Sequence, residues 1–335
     1  MEHPLTRREV MKSLGGVAAV TVLSGMGAKI AAAGEQVAAA TGTAGRAKRS
    51  LRVAHITDVH VQPELHAGEG LATCLKSVQS MSDKPDFIIN GGDCVFDSFE
   101  ARDDRAQTQW DLWHSVFKNE CGLPVKSCIG NHDIWGWGKR SKATGQETNY
   151  GKQRALDNLQ IPKRYYSFDG MTSAGKAGGW HVVMLDSVQQ HENGYRAYLD
   201  DEQRDWLESD LRDNAGKNTL IVSHIPILSS TVFMLGSKQD HADWDIDASL
   251  MHTDVLQLKD LFAKNPGVKA CLSGHIHLVD RVEYNGVSYL CDGAVCGNWW
   301  KGAHHECQEG YAVIDLFDDG TVERTYVPYG WKAQR

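Results

Sequence analysis

Seven side chains of the types that bind transition metals lie in five short clusters along the chain. Asp58 and His60 are separated by one residue, so both can point the same way from a strand end and chelate one ion. Asp93 supplies a carboxylate whose two oxygens can bridge two ions. Such oxygen and imidazole nitrogen ligands suit Mn, Fe, Zn, Co or Ni, so we predict a centre of two divalent transition metal ions. The other four candidate ligands are Asn131, His224, His275 and His277.

The charge of such a centre indicates its chemistry. Two divalent ions, offset by the carboxylates of Asp58 and Asp93 and by a bridging hydroxide, leave a charge of about +1. This charge attracts a phosphate oxygen and lowers the pKa of metal-bound water. We therefore predict hydrolysis of a small-molecule phosphate ester by a metal-bridging hydroxide. The formal net charge of -8 argues against nucleic-acid binding, which needs a basic surface.

His132 and Asp133 follow Asn131 directly and are predicted to be catalytic. His132 is not needed as a ligand, so we expect it to be the general acid for the leaving alkoxide. Asp133 is predicted to orient and charge that histidine. A neutral surrounding with one histidine acid favours phosphodiesters, whereas extra cations near the metals would favour the dianionic monoester. Both substrate classes stay open at this point.

Each cluster follows a short apolar run that is typical of a β-strand. The runs are residues 51–57, 86–90, 125–129, 220–223 and 268–272. Helical periodicity lies between them, at 71–78, 110–117, 206–211 and 255–262, with Asp200 as the expected N-cap of the third helix. Hairpins are expected over 281–290 and 311–327. This order predicts an α/β fold of two packed mixed sheets with helices outside, in which the clusters meet beyond the strand ends.

The ordered motifs resemble those of the calcineurin-like metallophosphoesterases, and the bacterial members similar to cyclic-nucleotide phosphodiesterases in particular. The resemblance covers residue 51 to about residue 331. It implies a four-layer α/β-β/α sandwich of two mixed sheets flanked by helices. It also implies that Asp93 is shared by two metals and that His132 contacts the substrate. One metal would have Asp58, His60, Asp93 and His277, and the other Asp93, Asn131, His224 and His275.

One position differs from a branch of this family. Purple acid phosphatases have a metal-binding tyrosine three residues after the bridging aspartate. Phe96 occupies that place here and cannot bind a metal. A ferric ion bound to tyrosinate is therefore not expected.

The N-terminal residues are expected to be an export signal rather than part of the fold. Arg7 and Arg8 form a twin-arginine pattern, followed by a weakly apolar run and small residues that permit cleavage. The run is too short and too rich in glycine for a stable membrane span. We therefore predict a twin-arginine signal peptide and linker over 1–45 and a catalytic domain over 50–331. Export by the twin-arginine machinery would place the protein in the periplasm or outside the cell.

Two further features are assigned from sequence. Among the eight cysteines, Cys296 and Cys307 flank one loop and are the best candidates for a disulfide. The long segment 134–166 carries Trp135, Trp137 and Arg140, and is either an aromatic, basic lid over the substrate or a loop whose tryptophans pack inward.

Two other functions are kept as alternatives. The first is a catalytically inactive metal-binding scaffold, as in the retromer subunit that resembles this family. Such proteins usually lack a histidine at the position of His132, which is present here. The second is a nucleotide or pyrophosphate hydrolase. A separate C-terminal nucleotide-binding domain would favour it, and too few residues follow the catalytic domain to form one.

Overall fold

The computed structural model describes residues 47–235, 238–240 and 243–334, and the elements below belong to that part of the chain. The predicted signal peptide, residues 1–45, lies outside it. The helices are α1 (Ala67–Ser80), α2 (Asp103–Glu120), α3 (Lys152–Leu159), α4 (Asp201–Asp213) and α5 (Val255–Lys264). The strands are β1 (Arg49–Ile56), β2 (Phe87–Asn90), β3 (Val125–Ser127), β4 (Tyr166–Met171), β5 (Ala177–Met184), β6 (Val188–His191), β7 (Gly194–Ala197), β8 (Asn218–Val222), β9 (Lys238–Asp240), β10 (Asp243–Asp245), β11 (Val268–Ser273), β12 (Asp280–Tyr284), β13 (Val287–Cys291), β14 (Gly310–Phe317) and β15 (Val322–Pro328).

Two mixed sheets form the centre of the fold. The first has the order β15-β14-β1-β2-β3, in which β1, β2 and β3 are parallel, β14 is antiparallel to β1, and β15 is antiparallel to β14. The second has the order β12-β13-β11-β8-β5-β4, with its four inner strands parallel and both edge strands antiparallel. Parallel inner strands end at one edge of each sheet, so the loops that follow them collect there.

Three apolar clusters account for the layering. Leu51 and Val53 of the first sheet pack against Val182 and Leu220 of the second in the central cluster. A second cluster buries the outer face of the first sheet under α1 and α2, and a third buries the outer face of the second sheet under α4 and α5. Helix, sheet, sheet and helix therefore form four layers. The predicted fold class is confirmed.

Several local predictions are also confirmed. The helices contain the apolar periods seen in the sequence, and Asp200 caps α4, since its side chain accepts a hydrogen bond from the Gln203 N–H at 2.9 Å. Both C-terminal hairpins form. No helix among the described residues has the length and apolar composition needed to cross a membrane.

The Cys296–Cys307 disulfide expected from sequence is not present. All eight cysteines are free thiols. Cys296 is fully buried beside His277, whereas the sulfur of Cys307 lies near the hydroxyl of Tyr326, at 3.9 Å. Two cysteines that flank one loop in sequence therefore have different neighbours in the fold, which spacing alone cannot reveal.

Candidate metal centre

The five clusters predicted from sequence meet at one place, beyond the carboxyl ends of β1, β2, β3, β8 and β11. Backbone hydrogen bonds tie the loops together, from the Asp58 N–H to Gly92 O at 3.0 Å and from the His60 N–H to Asp93 O at 3.0 Å. The Gly274 N–H donates to His224 O at 3.0 Å in the second sheet. All seven predicted ligands are thus brought together. Their role as ligands stays a prediction.

Five of these seven residues have a left-handed backbone, which is costly for any residue with a Cβ. The φ angles lie between 47° and 67°. Such strain persists only where the surroundings impose it, and it concentrates at functional sites. The five residues are Asp58, His60, Asp93, His275 and His277.

The first half of the centre contains Asp58, His60 and His277, whose side chains are buried. The two Nε2 atoms of His60 and His277 lie 3.2 Å apart. Asp58 Oδ1 lies 3.4 Å from His277 Nε2 and 3.9 Å from His60 Nε2. The other oxygen, Oδ2, accepts hydrogen bonds from the Thr57 hydroxyl and the His275 N–H. His277 is oriented by Nδ1, which donates to Gly297 O at 2.8 Å.

The second half contains His224, His275 and Asn131, with Asp93 between the halves. Asp93 Oδ2 lies 3.1 Å from His224 Nε2 and 3.6 Å from His60 Nε2, so this oxygen faces both groups of histidines. Asn131 Oδ1 lies 3.2 Å from His224 Nε2. Ligand atoms of Asp93, His224 and His275 all lie within 4.8 Å of one another. This position suits the predicted bridging role of Asp93.

The donor atoms fit metal ions better than they fit one another. Asp58 Oδ1 and His275 Nε2 are buried and have no hydrogen-bond partner among the described residues. Buried polar atoms without partners are rare because each costs free energy. Two imidazole nitrogens 3.2 Å apart also need a proton or a cation between them. Divalent ions would satisfy all of these atoms.

The pKa values of the site show that nearby positive charge favours the ionised form of the two predicted carboxylate ligands. Burial raises the pKa of Asp58, but the nearby His277 outweighs this effect and holds it below its usual range. Burial lowers the pKa of His224, but Asp93 outweighs it and raises the pKa to about 9. Burial and the charge of His224 lower the pKa of His275 to about 3. A proton on His224 thus supplies charge that a metal ion could provide.

His132 is half-buried beside this cluster, and its contact with substrate stays a prediction. Its ring centre is 4.7 Å from that of His60 and 5.1 Å from that of Trp299. A ring nitrogen of His132 lies within 4.8 Å of ligand atoms of His60 and Asp93. Its Nδ1 has no hydrogen-bond partner among the described residues.

The prediction that Asp133 orients His132 is wrong. Asp133 is fully buried, and its carboxylate accepts hydrogen bonds from the backbone N–H groups of Asp93, Cys94 and Gly130, at 3.0, 2.8 and 2.9 Å. Burial and the charge of Asp93 raise its pKa to about 7. The 3₁₀ turn Asn131–Asp133 directs this side chain inward, so Asp133 fixes the loops rather than the histidine.

The segment after His132 does not form an aromatic lid. Trp135 is buried, donates from Nε1 to Ala101 O at 3.1 Å and lies under the guanidinium of Arg154. Trp137 packs against Phe99. The tryptophans therefore point inward, which is the second of the two readings left open by the sequence.

A sixth loop also reaches the centre. The sequence analysis did not include its residues among the site residues. This loop follows β13 and carries Cys296 and Trp299. The ring centre of Trp299 lies 4.0 Å from that of His60 and 5.5 Å from that of Phe96. The ring centre of His304 lies 5.8 Å from that of His277. The loop lies here because β13 is a parallel neighbour of β11, a pairing that the sequence analysis did not include, so the loop after β13 reaches the same sheet edge.

Comparisons with known proteins agree with this geometry. Residues 51–279 match the calcineurin-like phosphoesterase family. A 3′,5′-cyclic-nucleotide phosphodiesterase of Nostoc sp. is 25% identical over 84% of this chain and 94% of its own length. A 3′,5′-cyclic adenosine monophosphate phosphodiesterase of Haemophilus influenzae is 23% identical over 82% and 89%, respectively. A dimetal phosphatase from Danio rerio has the same fold, with a TM-score of 0.56 at 15% identity over 84% of this chain and 100% of that one.

Proposed function

Because this chain belongs to the calcineurin-like phosphoesterase family, we propose that it hydrolyses small phosphodiesters, with 3′,5′-cyclic nucleotides as the first class to test. The observation that carries this choice is the charge around the centre. Among the described residues, no lysine or arginine makes a hydrogen bond or ion pair with the seven predicted ligands or His132. A phosphodiester has one negative charge, and a monoester near neutral pH has close to two.

Three basic side chains of the segment after His132 pair with carboxylates outside the centre. Arg140 pairs with Glu100 at 3.5 Å, Arg154 with Asp103 at 2.6 Å, and Lys152 with Asp186 at 2.5 Å. These cations are therefore already partly neutralised by carboxylates. Within the part of the chain that the structure describes, a second negative charge on the substrate would find no lysine or arginine hydrogen-bonded or ion-paired to the centre, which favours the diester.

The roles of the chain's own residues follow from their places. The seven predicted ligands would hold two divalent ions, which when bound supply positive charge and lower the pKa of coordinated water. His132 would donate a ring proton to the leaving alkoxide, since it is half-buried and lies beside His60 and the predicted bridging residue Asp93. Trp299 offers an aromatic face beside His132, on which a base or another ring of the substrate could stack.

The test compares two synthetic esters. The full chain is loaded with Mn²⁺ and assayed on bis(p-nitrophenyl) phosphate, p-nitrophenyl phosphate and 3′,5′-cyclic AMP, with a chelator control. We expect faster hydrolysis of the diester that the chelator abolishes. Faster hydrolysis of the monoester would overturn the diester assignment, and no hydrolysis of any ester by a chain with two bound metals would overturn the proposed function.

The His132→Ala variant tests the proton donor. Loss of a general acid costs roughly 10²–10⁴-fold in turnover, and the loss should be larger for a poor leaving group than for p-nitrophenolate. The metal content should not change. His114→Ala is the matched control, because His114 lies on α2 and contacts Asn158 instead of the centre. Equal activity of both variants on all leaving groups would remove His132 from the mechanism.

We also propose that the protein is exported by the twin-arginine route. The support is the order of Arg7-Arg8, apolar run and small residues in the sequence. A fusion of residues 1–45 to a reporter that is active only outside the cytoplasm should be exported. Replacing both arginines by lysine should stop export, and unchanged export of that fusion would exclude this route.

A further inference from the structure

Cys296 is the one sulfur-containing member of the groups of potential ligands at the centre, among the described residues. It follows β13 in a loop that pairs with the end of β1. The Val295 N–H donates to Thr57 O at 3.0 Å, and the Cys296 N–H donates to Asp58 O at 3.2 Å. This pairing places Cys296 beside the residue that begins the first half of the centre, and its side chain is fully buried.

The sulfur lies close to two of the three other donors of that half. Cys296 Sγ, one ring nitrogen of His60 and one of His277 all lie within 4.8 Å of one another. A separate observation points to a ligand in this volume. Asp58 Oδ1 is buried, has no hydrogen-bond partner among the described residues and lies 3.4 Å from His277 Nε2. An unpaired carboxylate oxygen is better explained by a cation than by a thiol and two imidazoles alone.

The loop is also held in place by contacts of the residues that follow the cysteine. Trp300 is fully buried, donates from Nε1 to His60 O at 3.0 Å and from its backbone N–H to Cys296 O at 2.8 Å. Gly297, the residue directly after Cys296, accepts the hydrogen bond from Nδ1 that orients His277. Trp299 and Trp300 both have left-handed φ angles, of 55° and 67°. Strain of this kind indicates that the loop conformation is imposed by its contacts with the centre.

We propose that Cys296 is a sulfur ligand of the metal ion held by Asp58, His60 and His277. The proposal rests on the proposed function only in requiring that the centre binds metal. A thiolate with two imidazoles and a carboxylate favours Zn²⁺, Co²⁺ or iron, whereas the oxygen and nitrogen donors of the other half also suit Mn²⁺. The two halves of the centre therefore differ in metal preference, which makes a mixed-metal centre the expected native form.

Cobalt substitution tests this assignment without relying on activity. The full chain is loaded with Co²⁺ and its metal content is measured by elemental analysis. Thiolate coordination adds a charge-transfer absorption in the near ultraviolet, separate from the visible ligand-field bands of cobalt. We expect the wild type to show both, and Cys296→Ala and Cys296→Ser to keep the visible bands and lose the near-ultraviolet band.

The matched control is Cys74→Ala, because Cys74 is equally buried but lies in the apolar contact between α1 and the first sheet. This variant should keep the near-ultraviolet band. Competition between Zn²⁺ and Mn²⁺ gives a second measurement. Removing a residue that hydrogen-bonds a metal ligand weakens metal binding by roughly 10–100-fold. Removing the ligand Cys296 itself should weaken Zn²⁺ binding at least as much, with a smaller effect on Mn²⁺.

The outcomes separate this proposal from the proposed function. If the chain binds cobalt but the wild type has no near-ultraviolet band, or if Cys296→Ala retains it, Cys296 is not a ligand and the phosphodiesterase proposal is unaffected. If the folded wild type binds no cobalt, zinc or manganese, both proposals fail. An unchanged ratio of Zn²⁺ to Mn²⁺ affinity in Cys296→Ala would also overturn the sulfur ligand.

Discussion

At the scale of single residues, Asp133 stabilises the loops around the centre. Its carboxylate accepts three buried backbone hydrogen bonds, from Asp93, Cys94 and Gly130. If the carboxylate is removed, these three N–H groups lose their acceptor. Each unpaired buried donor lowers the free energy of unfolding by about 1–3 kcal/mol. We therefore predict that Asp133→Ala lowers the free energy of unfolding by about 3 kcal/mol or more, as measured by urea denaturation.

Two comparisons make this prediction specific. Asp133→Asn keeps one acceptor oxygen and should lose less stability than Asp133→Ala. Asp205→Ala, on the exposed face of α4, should be close to neutral. If Asp133→Ala were as stable as the wild type and lost only turnover, the residue would return to the catalytic role that the sequence suggested.

At the scale of elements, Gly274 sets how closely the loop after β11 approaches the end of β1. A Cβ added at this glycine would lie 2.1 Å from Thr57 Oγ1 and 2.2 Å from Asp58 Oδ2. Such contacts force the carboxylate of Asp58 to move. We therefore predict that Gly274→Ala loses metal from the first half of the centre and is destabilised by about 1–3 kcal/mol from overpacking.

Elemental analysis after loading with metal measures this loss. Gly194→Ala is the control, since the nearest contact of its added Cβ is His191 O at 3.7 Å. That variant should bind as much metal as the wild type. Full metal occupancy in Gly274→Ala would show that the two loops can separate without disturbing Asp58.

His181 on β5 joins this strand to both β4 and α4. Its Nδ1 lies 3.0 Å from Asp169 Oδ1 and its Nε2 lies 2.8 Å from Asp210 Oδ2, so both nitrogens can donate only when the ring is protonated. Burial lowers the pKa of His181, but the hydrogen bonds to Asp210 and Asp169 outweigh it and raise the pKa above its ordinary value. The ring therefore prefers its charged form in the folded protein.

The pH dependence follows from the sign of this shift. A histidine whose pKa is raised on folding stabilises the protein fully below its unfolded pKa of about 6.5, and this stabilisation is lost as the pH rises through the folded pKa. The stability difference between wild type and His181→Gln should thus be largest near pH 6 and decrease toward alkaline pH in urea denaturation. His66→Gln, at an exposed histidine, is the control. A difference independent of pH would contradict a charged His181.

At the scale of the whole molecule, the sequence predicted what local pattern determines. Predicted ligands that directly follow apolar runs, such as Asp58 and Asp93, lie together as expected because a strand end fixes their position, and their binding of metal stays a prediction. Asp133 was assigned wrongly because the turn that carries it points neighbouring side chains in different directions. The sequence analysis did not place Cys296 beside the centre, because its contact with Asp58 joins residues more than two hundred positions apart and no local pattern records it.

The centre is also a junction between the two sheets. Asp58, Asp93 and Asn131 follow strands of the first sheet, whereas His224 and the His275–His277 motif follow strands of the second. Metal ions bound to both sets would cross-link the edges of two layers that are otherwise joined by apolar packing. Metal removal should consequently loosen the ligand loops of both sheets together.

We predict that a chelator lowers the thermal stability of the chain and loosens both sheet edges together. Each ion at a free concentration of 100 times its dissociation constant contributes about 2.7 kcal/mol to folding, which the chelator removes. Backbone amide exchange should rise in the loops at Gly92 and Gly274, one on each sheet, and stay unchanged in the remote strand β4. Faster exchange in one loop alone would mean that the ions bind within a single sheet and do not join the layers.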